Sequence, residues 1–451
     1  MKKVLSLVLA LALLVSVLAG CGGDTGKESS ASTPESTGDA STPASEAGGE
    51  DASVADTGTD SGEKIKITVT RWGEIEANDA EKTMVDKFNA ENDKNIEIVY
   101  DVVPGDGYGD RLTTSFSSGE GYDIFASGEG DFYKWVDTGL AASIDDLMTS
   151  DGEWTKEINS SILEMGKIQD KQYYIVRDYN PICLWYNKDL FDEHGVDYPT
   201  NDWTWDDLLA AAKTLTVKDG DDFKSFGFNA QGWEYALLTY LQSNGLEIMN
   251  PEGTTAEGFL NSPEMIAALE EYATFSEGDD RISPSGADFD AFGDASAMLI
   301  NGTLAMTLNG GWAKSSMEDS GVNYGTAVVP GNHESYLCAS AYAISTRCKN
   351  PEAAWEVIKA LTGTECTSLR TQYTAALPTI DSQLEELKGT LGEQNMGLID
   401  QLEFSVQPAG LRSALGNPAV SAFKEAYERI VFKDGDAKTI MDEAVEQAEN
   451  P

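Results

Sequence analysis

Apolar and polar residues alternate in two stretches of the chain that flank a segment with helical spacing. Residues 64–70 alternate as a half-buried strand does, and residues 96–103 are suited to a second strand. Between them, residues 80–92 space apolar side chains as one face of a helix does. A strand, a helix and a strand in this order predict a parallel α/β unit. Ligands bind beyond the carboxyl ends of such strands, where Trp72 follows the first one.

The same alternation of short strands and helices continues further along the chain. A strand at 122–126 is followed by a polar loop at 127–131, and an apolar run at 183–186 leads into a helix that opens at 187–191. Thr204 precedes another helical segment and suits the N-cap, since its hydroxyl can accept a hydrogen bond from the first turn. The chain has no internal repeat of fixed period.

The first 21 residues have the organisation of a secretory signal. Lys2 and Lys3 precede an apolar run at 4–18, which is shorter than the roughly 20 residues of a membrane-spanning helix. The ending Leu-Ala-Gly-Cys at 18–21 resembles the bacterial lipobox, in which the cysteine is lipidated. We therefore expect a lipoprotein signal peptide and lipobox at 1–21, with lipid attached to Cys21 and a membrane anchor as the result. The alternative is an ordinary secretory signal with an incidental cysteine.

Residues 22–62 are small, polar and acidic, and Lys27 is their one basic residue. Such a segment cannot bury a core, so we expect a disordered acidic tether. The chain from residue 63 onward is long enough for two lobes or domains, and the overall hydrophobic content of 41% supports real cores.

Charge and composition narrow the classes of partner. The formal net charge of −46 repels nucleic acid and anionic lipid headgroups, so no nucleic-acid partner is expected. Two histidines, His194 and His333, are too few for a multi-histidine metal site, and no phosphate-binding loop is present. We expect no cofactor and no metal. Four further cysteines match no zinc spacing: Cys183, Cys338, Cys348 and Cys366. We predict unpaired, core-packed thiols, with a disulfide as the alternative because an even number of cysteines outside the cell permits one.

A series of short motifs then carries a family resemblance. In chain order these are Asp123-Ile-Phe125, Gly166-Lys-Ile168, Trp185-Tyr-Asn-Lys-Asp-Leu-Phe191, Pro199-Thr200, Trp203-Thr-Trp-Asp-Asp-Leu208, Gly302-Thr-Leu-Ala-Met306, Asn309-Gly-Gly-Trp-Ala313 and Lys349-Asn-Pro-Glu-Ala-Ala-Trp355. Their order and spacing resemble those of the family 1 extracellular solute-binding proteins, the maltodextrin-type sugar-binding lipoproteins of ABC importers. The resemblance covers essentially the whole chain beyond the tether.

The resemblance implies an α/β, two-lobed, periplasmic-binding-protein-like fold with a ligand cleft between the lobes. Lobe 1 would take 63–198 plus 329–361, and lobe 2 would take 199–328 plus 366–451. It also implies a monomeric, non-catalytic receptor that captures a mono- or oligosaccharide and passes it to the transmembrane subunits of an ABC permease. The lipid anchor would place it on the extracellular face of the cell membrane, and the long tether favours a Gram-positive envelope.

Aromatic and polar residues near the expected cleft are the candidate ligand contacts. Flat aromatic rings suit the apolar face of a sugar, while polar side chains bind its hydroxyls. The residues that match family positions are Trp72, Glu74, Glu76, Ser127, Glu129, Asp131, Trp185, Trp233, Tyr235, Trp312 and Arg412. For any one aromatic residue, core packing is the competing interpretation, and Arg412 could equally form a surface ion pair. Lys424 and Glu425 replace a stacking aromatic of the family, which suggests a ligand shorter than a long maltodextrin.

Two other functions remain open at this point. An aromatic cage with acidic neighbours can bind a polyamine or quaternary amine, and the negative charge favours this. A surface-anchored glycosidase needs only two suitably spaced carboxylates, which the sequence supplies in abundance. A phosphorylated polyol is disfavoured because few basic residues are expected in the cleft.

Overall fold

The computed structural model describes residues 64–73, 79–105, 107–230, 233–374, 376–407 and 409–450. The strands are β1 (Ile65–Trp72), β2 (Ile96–Val103), β3 (Ile124–Gly128), β4 (Lys167–Ile168), β5 (Lys171–Gln172), β6 (Tyr174–Pro181), β7 (Cys183–Asn187), β8 (Val217–Asp219), β9 (Asp222–Asn229), β10 (Leu304–Asn309), β11 (Tyr324–Ala327), β12 (Ser335–Ile344) and β13 (Ser405–Val406). The predicted signal peptide and lipobox at 1–21 and the predicted tether at 22–62 lie outside the described residues.

The helices fall between these strands and after them. They are α1 (Ala80–Glu91), α2 (Tyr108–Ser118), α3 (Phe132–Asp137), α4 (Asp145–Ser150), α5 (Ser160–Met165), α6 (Lys188–His194), α7 (Trp205–Leu215), α8 (Glu234–Ser243), α9 (Pro263–Thr274), α10 (Gly286–Phe292), α11 (Ala295–Ile300), α12 (Lys314–Ser320), α13 (Pro351–Thr362), α14 (Thr364–Thr374), α15 (Asp381–Thr390), α16 (Met396–Asp400), α17 (Gly416–Val431) and α18 (Ala437–Glu449). Among the described residues, none of these helices is both long and apolar enough to cross a bilayer.

Two mixed sheets form the centres of two lobes. In the first lobe the strand order is β13-β12-β3-β1-β2, and β6 also pairs with β12. Strands β1, β2 and β3 are parallel, as the strand–helix–strand pattern predicts, while β12 runs antiparallel to β3 and β6. In the second lobe the order is β11-β7-β10-β9-β8. The chain passes between the lobes directly after β6 and again between β11 and β12.

The strand pairing corrects the predicted lobe boundaries. The first lobe was expected to continue to residue 198, but β7 pairs with β10 and β11 in the second sheet. The crossing therefore occurs between Pro181 and Cys183. Toward the C-terminus the second lobe was expected from residue 366, yet α14 packs on α1 of the first lobe. Motif order could not give these boundaries, because only the pairing of distant strands defines a sheet.

Local predictions agree closely with the structure where short-range signals are strong. Helix α1 and strand β2 have the predicted bounds within a residue. Thr204 is the N-cap of α7, where its hydroxyl accepts from Asp207 N–H in a capping box. The four cysteines 183, 338, 348 and 366 are unpaired, as predicted. Core packing holds for Cys183 and Cys366, which are buried. Cys338 and Cys348 are half-buried at the edges of core clusters, and Cys338 also lines the cleft described below.

A buried ion-pair cluster joins separate elements of the first lobe. Glu81, at the start of α1, accepts hydrogen bonds from Arg177 of β6 and Arg370 of α14 and forms an ion pair with Arg71 of β1. The Arg71 Nε–Glu81 Oε2 and Arg370 Nη2–Glu81 Oε1 distances are both 2.9 Å. Arg71 also pairs with Asp79, the N-cap of α1. The cluster therefore fixes the helix start against two strands and a helix from the far end of the chain.

The charges of this cluster support one another. Burial disfavours the ionised form of Glu81, but attraction to Arg177, Arg370 and Arg71 outweighs it, and the pKa of Glu81 lies well below its usual value. Because the folded-state pKa is lowered, the stabilisation is fully present above the unfolded-state pKa near 4.3 and is lost as the pH falls below it.

We predict that Glu81→Gln lowers the free energy of unfolding by about 3–5 kcal/mol at pH 7, because three buried guanidinium groups lose their shared counter-charge. Urea unfolding measures this loss. The difference between wild type and variant should shrink as the pH is lowered from 5 to 3, because the wild-type carboxylate loses its own contribution there.

Glu365→Gln is the matched control. Glu365 on α14 pairs with Lys87 on α1, so it joins the same two helices, but both side chains are exposed. Exposed pairs contribute little, and this variant should unfold at nearly the wild-type urea concentration. Equal effects of the two substitutions would contradict the importance assigned to the buried cluster.

Candidate functional site

A cleft of about 520 Å³ is lined by residues from both lobes. This volume suits a small molecule of one to a few rings. The first lobe contributes mainly charged and polar side chains, and the second lobe contributes three aromatic side chains. The two sides of the cleft therefore differ in chemistry.

The aromatic side consists of Trp233, Tyr235 and Trp312. Trp233 makes edge-to-face contacts with Trp312 and Tyr235, with ring centroids 5.6 Å and 5.4 Å apart. Trp312 lies in the turn Gly311–Ala313 and is 41% exposed, which is unusual for so large an apolar side chain. Its ring packs over Gly310, where a Cβ atom would lie 2.3 Å from the indole. The glycine thus permits the orientation of Trp312.

The polar side is formed by the ends of β1 and β3 together with the paired strands β6 and β12. Trp72 ends β1, packs edge-to-face on Tyr108 and lies 5.6 Å from the guanidinium of Arg177. A register shift between Ser340 and Ala341 leaves Arg177 unpaired in the ladder between β6 and β12. Arg177 and Asp178 can therefore both line the cleft although they are consecutive.

Glu129 is buried beside this polar side. Its Oε2 accepts from the N–H of Ala339 at 2.9 Å. Burial raises the pKa of Glu129 to about 7, although the hydrogen bond from the Ala339 N–H opposes the shift. Cys338 lies next to it, and burial together with Glu129 and Asp178 raises the pKa of this thiol well above its usual value. Cys338 therefore stays protonated and is a poor nucleophile at neutral pH.

The structure brings together five of the predicted contact residues. Trp72, Glu129, Trp233, Tyr235 and Trp312 all line the cleft. Ser127 does not: it is buried, and its hydroxyl donates to the carbonyl of Gly128. Asp131 lies outside the lining and accepts from the amide of Asn417 on α17 at 2.7 Å, which is a direct contact between the lobes. Glu74, Glu76 and the side chain of Arg412 lie outside the described residues.

The prediction for Trp185 is wrong. Its side chain is 0% exposed, stacks on Tyr324 and donates from its indole N–H to the carbonyl of Asn309. Both faces of strand β7 are covered by core residues, since Leu184 and Tyr186 pack in one hydrophobic cluster while Cys183 and Trp185 pack in another. Trp185 belongs to the core.

Sequence reasoning missed most of the polar side of the cleft. The expectation of few basic residues is wrong, since the lining includes Arg71, Arg177 and Arg370. All three are engaged with carboxylates, so they do not form an open anion site. The charged and amide residues 177, 178 and 180 interrupt an otherwise apolar strand, and this pattern could have indicated polar side chains in the cleft. The sequence gave no sign that Glu81 and Arg370 are buried, because charged residues on helices are usually solvent-exposed.

Comparison with known proteins identifies the fold. The solved structure of an ABC substrate-binding protein from Listeria monocytogenes in complex with cycloalternan matches with a TM-score of 0.74 at 24% identity, covering 85% of this chain and 98% of that one. A solute-binding protein from Thermotoga lettingae bound with α-D-tagatose also matches with a TM-score of 0.74, at 18% identity, covering 86% of this chain and 99% of that one. The two-lobed α/β architecture is therefore the periplasmic-binding-protein-like fold.

Sequence relatives agree with the structural ones. A Brucella abortus protein named only as a binding protein is 27% identical over 301 residues, which cover 64% of this chain and 70% of the relative. The galactooligosaccharide-binding protein of Bacillus subtilis is 22% identical over 304 residues, covering 63% of this chain and 67% of the relative. The model of the family described as bacterial extracellular solute-binding protein matches residues 72–365, well over half of the sequence. The chain belongs to the family of bacterial extracellular solute-binding proteins.

Proposed function

We propose that this solute-binding protein captures a short oligosaccharide in its cleft and presents it to the membrane permease of an ABC importer. The observation that carries the proposal is the exposed ring of Trp312, held against Trp233 and opposite a polar side that includes Glu129 and Asp178. A sugar offers an apolar face to such a ring and hydroxyl groups to the polar side.

The relatives support a saccharide as the ligand class. The structural neighbours carry cycloalternan and tagatose, and relatives by sequence are named for galactooligosaccharides and, in Streptomyces coelicolor, for diacetylchitobiose. These sugars differ in linkage and length, so they support the class and do not select a member. The cleft of about 520 Å³ favours a ligand of few rings.

Capture would proceed by closure of the two lobes. A ligand that touches both the aromatic and the polar side stabilises the arrangement in which the two sides face each other. The hydrogen bond from the Asn417 amide to Asp131 joins the two lobes beside the cleft and supports the arrangement in which both sides face the ligand.

A polyamine or quaternary amine fits the cleft less well than a sugar. The acidic side chains of the cleft would attract a cation, but Arg71, Arg177 and Arg370 line the same cleft and offset the negative charge. A glycosidase is the other alternative, and the raised pKa of Glu129 is the one feature that favours it. We propose binding without turnover, because the family and its structural neighbours are binding proteins.

Attachment to the membrane completes the proposal. We propose that a signal peptide is removed before Cys21, that lipid is attached to this cysteine, and that the monomeric receptor is held on the extracellular face of a Gram-positive membrane. The support is the basic, apolar and Leu-Ala-Gly-Cys pattern of residues 1–21.

We predict that the Trp312 side chain contributes to ligand affinity. A thermal-shift screen against maltotriose, galactobiose, mannobiose, diacetylchitobiose, spermidine and glycine betaine should show stabilisation by at least one saccharide. Trp312→Ala should weaken that binding by roughly tenfold or more, because one stacking platform is lost. Calorimetry measures the affinity, and chromatography of the recovered sugar tests for turnover.

Phe292→Ala is the control for Trp312→Ala. Phe292 is 39% exposed and lies outside the cleft lining, so its removal should leave affinity unchanged. Stabilisation by amines alone, or conversion of the sugar into products, would contradict the proposal.

We predict that Cys21 is required for membrane attachment. Expressed in a Gram-positive host, the wild-type protein should fractionate with membranes and incorporate labelled fatty acid. Cys21→Ser should lose the label and appear in the medium or as an unprocessed precursor, because the acyl chains supply the membrane affinity. Membrane association of Cys21→Ser without precursor accumulation would show that another segment anchors the protein.

A further inference from the structure

Two buried acceptor atoms in the cleft have no hydrogen-bond donor among the described residues. They are Oε1 of Glu129 and Oδ1 of Asn180. The two residues are only 4% and 5% exposed, and both line the cleft. Buried polar atoms without a partner carry a desolvation cost, so such atoms in a binding cleft mark where a ligand can supply donors.

The strand register brings these two atoms to one part of the cleft. Asn180 on β6 is paired with Cys338 on β12. The next residue, Ala339, donates its N–H to Oε2 of Glu129. The Glu129 carboxylate therefore lies next to Cys338, the residue that pairs with Asn180. Its Oε2 is occupied by the Ala339 N–H, and its Oε1 can accept a hydrogen bond from a ligand.

The titratable groups packed around Glu129 are acidic or neutral except for Lys134, which pairs with Asp131. Burial is the largest cause of its pKa near 7, and the nearby Asp178 raises the pKa further. The titratable and charged groups around it are Tyr336 and Cys338 on β12, Asp178 on β6, Tyr235 on α8, and Asp131 with Lys134 on its own turn and the following helix. The side chain of Arg412, on the neighbouring turn at 409–412, lies outside the described residues.

We propose that Glu129 and Asn180 form one subsite that accepts hydrogen bonds from two donor groups of the ligand, and that Glu129 releases its proton when the ligand binds. This inference rests on the proposed function and specifies its chemistry. Before binding, a large fraction of Glu129 is the neutral acid. A ligand hydroxyl that donates to Oε1 favours the carboxylate, and the displaced proton passes to solvent.

The direction of proton exchange on binding shows whether the ligand donates to Glu129 or Glu129 donates to the ligand. If the neutral acid instead donated to a ligand oxygen, binding would take up protons and affinity would fall with rising pH. If the ligand donates a hydrogen bond to the Glu129 carboxylate, binding must release a proton, and the affinity must rise with pH. For a group with this pKa the rise is about tenfold between pH 6 and pH 8.

The test is calorimetry with maltotriose, galactobiose, mannobiose and diacetylchitobiose, each titrated singly in phosphate and in HEPES buffer. The difference in heat between buffers counts protons. A saccharide that binds should release about half a proton at pH 7. Glu129→Gln should abolish both the release and the pH dependence, whereas Asn180→Ala should weaken binding at every pH and retain the release.

Glu247→Gln is the matched control. Burial also raises the pKa of Glu247 to about 7, but this residue is not part of the cleft lining. The variant should keep wild-type affinity and proton release. A 13C NMR titration of the unliganded protein, with Glu129→Gln used for assignment, checks that the Glu129 carboxyl titrates near neutrality whether or not the variants bind sugar.

Proton uptake, or full affinity of Glu129→Gln without a change in proton count, would overturn the inference while leaving sugar binding intact. If no saccharide binds, the proposed function fails, and spermidine and glycine betaine then decide the subsite. Binding of spermidine, which has donors, with proton release would support it. Binding of betaine, which has none, or of neither probe would overturn it.

Discussion

The shared counter-charge of Glu81 is the interaction on which the cleft depends. Its carboxylate is bound by arginines from β1, β6 and α14, elements that are far apart in the sequence. In a buried setting an unpaired charge is costly, so each arginine holds its element close to Glu81. The same arginines line the cleft, and Arg177 also lies against Trp72. The ion-pair cluster thus gives the polar side of the cleft a defined shape.

The opposite side owes its form to packing between aromatic rings. Trp233 contacts both Tyr235 and Trp312 edge-to-face, which holds a large exposed indole in one orientation. Each lobe therefore presents a preformed surface of different chemistry, and little local rearrangement is needed at either surface. A ligand gains most when it meets both, which couples recognition to the relative position of the lobes.

Glu129 lies where these two surfaces approach each other. Its turn contacts β12 and also α17 of the second lobe, through the neighbouring bond from Asn417 to Asp131. A buried carboxyl with a pKa near 7 in this place is sensitive to any donor that enters the cleft. Burial makes the Glu129 carboxyl costly to ionise, and for this reason its protonation state should change when a ligand enters the cleft.

Local sequence patterns determined the α/β class, the bounds of elements such as α1 and β2, and the N-cap at Thr204, because these depend on neighbouring residues. Motif order gave the family and the aromatic residues Trp233 and Trp312. Tertiary structure alone decided the rest. The burial of Trp185 follows from the core clusters that cover both faces of β7, and the presence of both Arg177 and Asp178 in the cleft lining follows from a register shift against β12. Charge neutralisation of Glu81 by Arg177 and Arg370 likewise has no local signal, since it exists only when remote segments meet in a buried place.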